Sequence, residues 1–145
     1  MSEASATPSP ARERLIVPAA IQAEIVAHAR DHFPRECCGI VAGKDGAITE
    51  AVRLTNLEAG VSRYLMDEEE FFRTYWAIEN RGESLLAVYH SHPVTVAYPS
   101  QTDVAFAFWP EAIYLICSLE HPEAPVLRGF RIVDGTITEV EVEIA

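Results

Sequence analysis

The chain has few cysteines, and their spacing excludes two common uses of this residue. It holds 3, the adjacent pair Cys37 and Cys38 and the isolated Cys117, which lies in an apolar run. There is no Cys-x-x-Cys pair, so a structural zinc ribbon and a thioredoxin-type motif are both excluded. An odd count without a secretory signal indicates a reducing cytoplasm rather than a disulfide framework. We therefore expect all three cysteines to be small buried apolar residues.

Positive charge is also scarce. The chain has 11 Lys and Arg residues against 22 Asp and Glu residues, and its formal net charge is −11. The basic residues are scattered and form no block. Because an acidic surface repels phosphate groups, we expect neither nucleic acid nor an anionic membrane as a partner.

Long apolar runs are absent as well. No stretch of about 18 apolar residues occurs, so we expect no transmembrane helix. The start of the chain has neither the basic nor the apolar segment of a secretory signal, and it is rich in Ser, Ala and Pro. We expect residues 1–12 to form a disordered tail and residues 13–145 to form one domain, because an apolar fraction of 49% is ordinary for a globular core.

Hydrophobic periodicity and turn residues predict one mixed β-sheet with helices packed on it, an α/β fold of the α+β type. Apolar residues at helical spacing predict a first helix over residues 18 to about 32. A second helix is predicted to begin after Asp67, with Glu70 completing a capping box. A third, short helix is predicted over residues 100–108. Strands are predicted over residues 14–17, 37–42, 47–54, 64–66, 85–90, 112–119, 126–133 and 136–144.

The most informative stretch of the sequence runs from His90 to Asp103. His90 and His92 lie at the C-terminal end of a predicted buried strand, where residues i and i+2 share a face, so both imidazoles can converge on one ion. Asp103 follows in the first turn of the next predicted helix, where it can face back toward the strand end. Two imidazoles and a carboxylate are a catalytic zinc ligand set that leaves a fourth tetrahedral position for water. The alternative for the histidine pair alone is two polar residues where a strand leaves the core.

Helix capping is a competing interpretation of the same stretch. Ser-x-x-Asp at the start of a helix is a capping-box-like pattern, with Ser100 as the N-cap and Asp103 as the third helical residue. The residues by themselves favour capping and metal binding about equally. The two roles are compatible for Ser100, but Asp103 cannot give all its oxygen lone pairs to both.

The stretch resembles the signature of the JAMM (MPN-plus, Mov34/PAD-type) zinc metalloproteases, His-x-His-Pro-x5-Pro-Ser-x2-Asp. That family also carries an upstream glutamate at the edge of an early strand, typically followed by a Cys-Gly pair, and this chain has Glu36-Cys37-Cys38-Gly39 in the matching place. The agreement extends from about residue 14 to the C-terminus. It implies the JAMM/MPN fold, which is cytidine-deaminase-like. A zinc deaminase itself is disfavoured because the His-x-Glu and Cys-x-x-Cys elements are missing.

The resemblance implies roles for five residues. His90, His92 and Asp103 would bind Zn2+, the expected cofactor. Glu36 would hold and deprotonate the zinc-bound water and then pass the proton to the leaving amine, and Ser100 would donate a hydrogen bond to the developing oxyanion. Zinc lowers the pKa of a bound water from 15.7 to roughly 7, which provides a nucleophile at neutral pH. The proximity of Glu36 to His90 is implied by the family fold alone; without it, Glu36 is an ordinary solvated charge.

Within that family the chain resembles small free-standing bacterial members. The similarity lies in Tyr89-His90-Ser91-His92 and in Phe130-Arg131-Ile132-Val133-Asp134-Gly135. Those members act on ubiquitin-like sulfur-carrier proteins and remove an amino acid or a short extension after the carrier's C-terminal Gly-Gly. We therefore expect such a carrier as the partner. The pathway (cysteine synthesis, cofactor or siderophore thiolation) and the oligomeric state stay open, and a homodimer is compatible with the sequence.

Two other functions also stay open. The first is an isopeptidase that removes a ubiquitin-like modifier from protein lysines by the same chemistry. The second is a non-catalytic MPN scaffold, although such family members generally lack metal ligands.

Several other residues have simpler interpretations. His28 and His32 are expected at the surface of the first helix. Asn56 and Tyr64 resemble polar and aromatic positions near the substrate groove of JAMM proteins. The aromatic residues of the second helix are expected in the core; they are Phe71, Phe72, Tyr75 and Trp76.

Overall fold

The computed structural model of the chain describes residues 12–58 and 61–145. Its helices are α1 (Ala19–His32), α2 (Glu68–Asn80) and α3 (Gln101–Ala105). Its strands are β1 (Arg14–Val17), β2 (Cys38–Lys44), β3 (Ala47–Leu54), β4 (Ser84–His92), β5 (Ile113–Ser118), β6 (Val126–Val133) and β7 (Thr136–Ile144). The tail expected over residues 1–12 lies, except for Arg12, outside the described residues.

The strands form one seven-stranded mixed sheet in the order β1-β7-β6-β5-β4-β2-β3. The pairs β4–β5 and β1–β7 are parallel, and the other neighbours are antiparallel. Helix α1 packs on one face of the sheet through Ile25 and Ala29, whereas α2 packs on the other through Phe71 and Ile78. The predicted mixed sheet with helices packed on it is therefore confirmed.

The three cysteines are buried and unpaired, as expected. Cys37 and Cys117 belong to the apolar cluster on the α1 face, and Cys38 belongs to the cluster on the α2 face. The two faces are separated because neighbouring residues of a strand point in opposite directions. No helix within residues 12–58 and 61–145 is long and apolar enough to cross a membrane.

Two predicted elements are wrong in extent. The third helix covers residues 101–105 rather than 100–108, and none of its residues is buried. Its apolar contact with the core is made through Val104, so little tertiary packing supports a longer helix here. Residues 64–66 form no strand, and this segment contributes only an isolated bridge between Asn56 and Met66.

The start of α2 also differs from the expectation. Asp67 accepts hydrogen bonds from the backbone N–H groups of Glu69 and Glu70, as an N-cap should. However, the carboxylate of Glu70 does not return to the cap residue. It accepts from the backbone N–H of Thr55 at 2.6 Å and from its hydroxyl at 3.1 Å. The predicted capping box is therefore half correct, and its second half instead ties α2 to the end of β3.

His28 is a further correction, because it is buried rather than exposed. It lies on the face of α1 that packs against the sheet, and its Nδ1 is 2.7 Å from the hydroxyl of Tyr89. Burial, together with the nearby charge of Arg53, lowers the pKa of His28 to about 4. His28 is thus a neutral core residue with a polar partner. Its neighbour His32 is half-buried, with the two rings edge to face at 4.7 Å.

Candidate metal centre

The pairing of β2 with β4 sets the frame of the site. Cys38 pairs with His90, and the N–H of Ser91 donates to the carbonyl of Cys37 at 3.1 Å. Continued by one residue, this antiparallel register places Glu36 opposite His92. Paired residues share a face of a sheet, and so do residues two apart. Glu36, His90 and His92 therefore lie on the same side, the α2 face.

Three ligand atoms converge at the end of β4. The Nε2 atoms of His90 and His92 are 3.1 Å apart, and Oδ2 of Asp103 lies 3.1 Å from the first and 3.0 Å from the second. The side chains of the three residues are only 1%, 6% and 7% exposed. They are the one group of His, Cys, Asp and Glu side chains with metal-binding geometry among the described residues. The structure thus brings together the three ligands that the sequence predicts.

The hydrogen bonding of His92 shows that this group fits a metal ion. Nδ1 of His92 is 2.8 Å from the carbonyl oxygen of Val96, so Nδ1 carries the hydrogen, and in the neutral ring Nε2 presents a lone pair. Nε2 of His92 faces the carboxylate of Asp103 and the Nε2 of His90, so a cation between them would be bound by all three atoms. Ligands on a tetrahedral zinc at 2.0–2.1 Å are about 3.3 Å apart, close to the spacing observed here. A carbonyl on the outer imidazole nitrogen is also the usual support of a metal-binding histidine.

The pKa values of the three candidate ligands are shifted by burial and by their contacts with one another. Burial by itself raises the pKa of Asp103, but hydrogen bonds with His90 and His92 hold that pKa far below its usual value. Burial lowers the pKa of His90, which therefore stays neutral at pH 7. Burial acts in the same direction on His92, but its contact with Asp103 outweighs this and raises the pKa of His92. A carboxylate that stays ionised beside an imidazole that stays neutral suits a divalent cation.

The structure shows the predicted cap at Ser100 and Asp103, and it also places the Asp103 carboxylate in the candidate ligand group. The hydroxyl oxygen of Ser100 accepts from the N–H of Asp103 at 3.0 Å, and the N–H of Ser100 donates to Oδ2 of Asp103 at 2.9 Å, which completes a capping box. The same Oδ2 faces the two imidazoles. The cap therefore fixes the carboxylate in the orientation that the ligand group requires, and capping and ligand placement are one arrangement.

Glu36 lies beside this group with a free carboxylate oxygen. It is 4% exposed, and its Oε1 has no hydrogen-bond partner among the described residues. Burial raises the pKa of Glu36 to about 7, opposed by the charge of His92 and reinforced by that of Asp103. A carboxyl group with a pKa near neutrality can both take and give a proton at pH 7.

A polar network anchors the segment that follows β3 to the site. The side-chain amide of Asn56 donates to the carbonyl of Glu36 at 2.9 Å, while its oxygen accepts from the N–H groups of Glu58 and Leu65, both at 2.9 Å. Tyr64 stacks on the ring of His90, with centroids 4.6 Å apart and an interplanar angle of 27°. The structure thus places Asn56 and Tyr64 at the site.

A cleft of about 730 Å³ opens beside Asp103 and Tyr64. Its walls come from the segment between β3 and α2, from α2 itself and from the residues of and after α3. Phe71 belongs to the core as expected, but Phe72 and Trp76 are 43% and 58% exposed, so the core assignment is wrong for these two. Sequence reasoning missed other lining residues, namely Arg63, Phe106, Phe108 and Trp109. Phe106 and Phe108 are 58% and 70% exposed, and the signal that the sequence offered was their closeness to Asp103 along the chain.

The sequence also matches a known family over most of its length. The family described as prokaryotic homologs of the JAB domain matches residues 18–133. The chain belongs to this family. The JAMM/MPN assignment made from His90, His92, Asp103 and Glu36 is therefore confirmed.

Curated relatives of this chain carry peptidase names. The CysO-cysteine peptidase of Mycobacterium tuberculosis is 39% identical over 132 residues, which cover 90% of each chain. The desampylase of Haloferax volcanii is 38% identical over 112 residues, which cover 72% of this chain and 81% of the relative. A probable TtuB-protein conjugate cleaving protease of Thermus thermophilus is 35% identical over 96 residues, 66% and 64% of the two chains. The prediction of a JAMM-family hydrolase is confirmed at this level.

Solved structures confirm the fold. A solution structure of a protein from Desulfitobacterium hafniense superposes with a TM-score of 0.82 at 32% identity and covers 90% of this chain and 92% of that one. A crystal structure of a JAB1/MPN domain protein from Archaeoglobus fulgidus gives a TM-score of 0.60 at 17% identity, with 89% and 98% covered. The second similarity concerns the fold alone, and it identifies that fold as JAB1/MPN.

Proposed function

We propose that this protein is a zinc-dependent peptidase that cleaves the amide bond after the C-terminal Gly-Gly of a ubiquitin-like sulfur-carrier protein and releases cysteine or a short extension. The observation that carries the proposal is the convergence of two imidazole Nε2 atoms and one carboxylate oxygen beside buried Glu36, whose Oε1 has no hydrogen-bond partner among the described residues. The 39% identity to a CysO-cysteine peptidase over nearly the whole chain supports the substrate class.

His90, His92 and Asp103 would hold the zinc. When bound, zinc supplies a water of lowered pKa and polarises the carbonyl that is attacked. Two contacts within the chain hold these ligands in place. The cap at Ser100 fixes the carboxylate of Asp103, and the carbonyl of Val96 fixes the ring of His92. Such outer contacts set the orientation and basicity of the ligands.

Glu36 would act as the general base and then as the general acid. Its free Oε1 can accept a proton from the attacking water, and its raised pKa lets it return that proton to the leaving amine nitrogen. Glu36 lies two residues before β2, and the side-chain amide of Asn56 fixes its backbone by donating to its carbonyl.

Ser100 would donate to the oxyanion. Its hydroxyl oxygen already accepts from the N–H of Asp103, so the hydroxyl hydrogen remains available to a second acceptor. Ser100 is exposed, so a substrate carbonyl at the ligand group can reach it. A single donor of this kind contributes about 10²-fold to 10³-fold in rate.

The test uses purified protein loaded with zinc and a carrier–cysteine adduct. We expect release of free cysteine and of the carrier ending in Gly-Gly, measured by intact mass spectrometry. The Glu36→Gln variant serves as the matched control because it keeps the metal ligands. An adduct that stays intact with the zinc-loaded wild-type protein would refute the proposed function.

Removal of a ubiquitin-like modifier from protein lysines is a second candidate. It is favoured by the similarity to the probable TtuB-protein conjugate cleaving protease. Cleavage of an isopeptide-linked conjugate, with none of the carrier–cysteine adduct, would establish it instead. A non-catalytic scaffold would purify without stoichiometric zinc, whereas we expect one zinc per chain by elemental analysis.

The proposal also covers the compartment, the partners and the oligomeric state of the protein. Three buried, unpaired cysteines suit a reducing compartment, and we propose the cytoplasm. With a net charge of −11, we propose neither nucleic acid nor an anionic membrane as a partner. A homodimer is compatible with this assignment and is measured by light scattering.

A further inference from the structure

The cleft beside the candidate metal centre has an uneven distribution of charge. Three acidic residues line it, Glu58, Glu68 and Asp103, and Arg63 is the only basic residue among the described residues that line it. The remaining wall is largely aromatic and aliphatic. A cleft of this kind repels anionic groups everywhere except near Arg63.

Arg63 is fixed close to the ligand group by its neighbours. The next residue, Tyr64, stacks on the ring of His90. The carbonyl of Arg63 is 3.5 Å from the side-chain amide of Asn56, which also binds the carbonyl of Glu36. Arg63 therefore belongs to the segment that connects the proposed base with a proposed metal ligand.

The guanidinium of Arg63 remains available for binding. Its Nε is 3.5 Å from Oε1 of Glu58, and the Arg63 side chain is 56% exposed. Exposed ion pairs of this kind are weak and easily exchanged. Arg35, the other arginine near this segment, donates instead to the main-chain carbonyls of Asn56 and Glu58. Arg63 is thus the cation of the cleft that an incoming anion can reach.

We propose that Arg63 binds the free α-carboxylate of the amino acid that leaves, and that it makes the enzyme selective for a carrier extended by one residue. This inference rests on the proposed function. In such a substrate the carboxylate carbon is two bonds beyond the scissile nitrogen, so its binding site has to adjoin the metal ligands. A guanidinium can bind a carboxylate through two parallel hydrogen bonds.

The proposed contact between Arg63 and the α-carboxylate distinguishes the two candidate reactions. In an isopeptide-linked conjugate the leaving nitrogen is a lysine side-chain amine, and no carboxylate lies two bonds away. Arg63 gains nothing from that substrate. Its position therefore favours removal of a single C-terminal amino acid over removal of a modifier from lysines.

The experiment compares two substrates that differ only at this group. One is the carrier–cysteine adduct with a free carboxylate, and the other is the same adduct with a C-terminal carboxamide. The zinc-loaded wild-type protein, Arg63→Ala and Arg73→Ala are assayed on both. Arg73 is an exposed arginine on α2 that does not line the cleft, so it is the matched control.

We expect wild type and Arg73→Ala to prefer the free carboxylate by about 10-fold to 100-fold in kcat/KM, the range for hydrogen bonds to a charged group. In Arg63→Ala this preference, measured as the ratio of kcat/KM for the two substrates, should fall close to 1. Equal cleavage of both substrates by the wild type, or a preference that survives Arg63→Ala, would overturn the inference and leave the proposed function intact. Cleavage of neither substrate by the wild type would refute the proposed function and this inference with it.

Discussion

Ser100 and Asp103 are joined by two hydrogen bonds, and one of them ends on the same carboxylate oxygen that faces both imidazoles of the site. The five-residue helix α3 packs on the core through Val104, and the side chain of Asp103 is only 7% exposed. The cap at the start of α3 therefore has a second role, because it orients Oδ2 of Asp103 toward His90 and His92. Changes at the two residues should separate metal binding from catalysis.

The first prediction concerns Asp103→Asn. A side-chain amide can still accept from the N–H of Ser100, so we expect the helix cap to survive in part. The neutral amide is a poor zinc ligand, so we expect loss of stoichiometric zinc and a fall of cleavage to background. Elemental analysis and circular dichroism check the two effects. An Asp103→Asn protein that retains one zinc per chain would contradict the ligand assignment.

Ser100→Ala gives the complementary prediction. It removes the acceptor for the N–H of Asp103, which costs about 1 kcal/mol of stability. It also removes the proposed oxyanion donor, so kcat should fall by about 10²-fold to 10³-fold. Zinc content should stay at one per chain because all three ligands remain. The assignment of Ser100 fails if kcat is unchanged in a protein that is folded and loaded with zinc.

Glu36→Gln tests the base through activity and through stability. Activity should be lost with zinc retained. In the metal-free protein the pKa of Glu36 is about 7 in the folded state, above the ordinary 4.5. The folded state then binds more protons than the unfolded state between these values, so this group's contribution to stability falls as pH rises from 4.5 through 7. It is lost above that window.

The variant should therefore be more stable than the wild-type protein at pH 8 when both are metal-free, by at most about 3 kcal/mol. At pH 4 the difference should be small, since the wild-type carboxyl is also neutral there. Urea unfolding at the two pH values measures this contrast. In the zinc-loaded enzyme the cation favours the ionised carboxylate, so kcat/KM should fall with decreasing pH only below about 7. A stability difference that does not change with pH would argue against a buried, destabilised carboxylate.

Much of the site could be predicted because its ligands are close in sequence. His90 and His92 are two residues apart on a strand, and Asp103 lies in the first turn of the helix that follows. Local geometry is therefore nearly enough to predict that the three ligands converge. The proximity of Glu36 is different in kind. It depends on the register between β2 and β4, which joins residues 54 positions apart, as in Cys37 and Ser91. A single sequence carries no local signal for that pairing, and only the family resemblance supplied it.

The features that were missed also have physical reasons. Arg63 and Phe106 lie in irregular segments, where no periodicity marks which side chains face the cleft. His28, by contrast, did carry a signal. It stands seven residues after Ile21 and three after Ile25, which places it on the buried stripe of α1. Its polarity favoured a surface position, but a hydrogen bond to Tyr89 satisfies the ring in the core.

Buried His28 predicts a loss of stability in acid. Its pKa is about 4 in the folded state and 6.5 ordinarily, so the unfolded state binds more protons between these values. The contribution of His28 to the free energy of unfolding is fully present above pH 6.5. It falls as the pH decreases toward 4, by at most about 3 kcal/mol. The double variant His28→Leu with Tyr89→Phe removes both polar partners and should flatten this part of the pH profile. An unchanged acid slope in the double variant would assign the loss to other groups.

Asn56→Ala tests the network behind the site. The side chain is 6% exposed and joins Glu36 to the N–H groups of Glu58 and Leu65. Its removal leaves buried polar groups unpaired, so we expect a loss of about 1 to 3 kcal/mol in the free energy of unfolding. Because Tyr64 follows on the same segment and stacks on His90, KM for the carrier–cysteine adduct should also rise, while zinc content stays at one per chain. Asn56→Asp serves as the matched comparison because it retains the acceptor for the two N–H groups. We expect it to restore the KM more than the free energy of unfolding. The reason is that a buried carboxylate beside the carbonyl of Glu36 is unfavourable. A normal KM in Asn56→Ala would show that the segment keeps its place without this side chain.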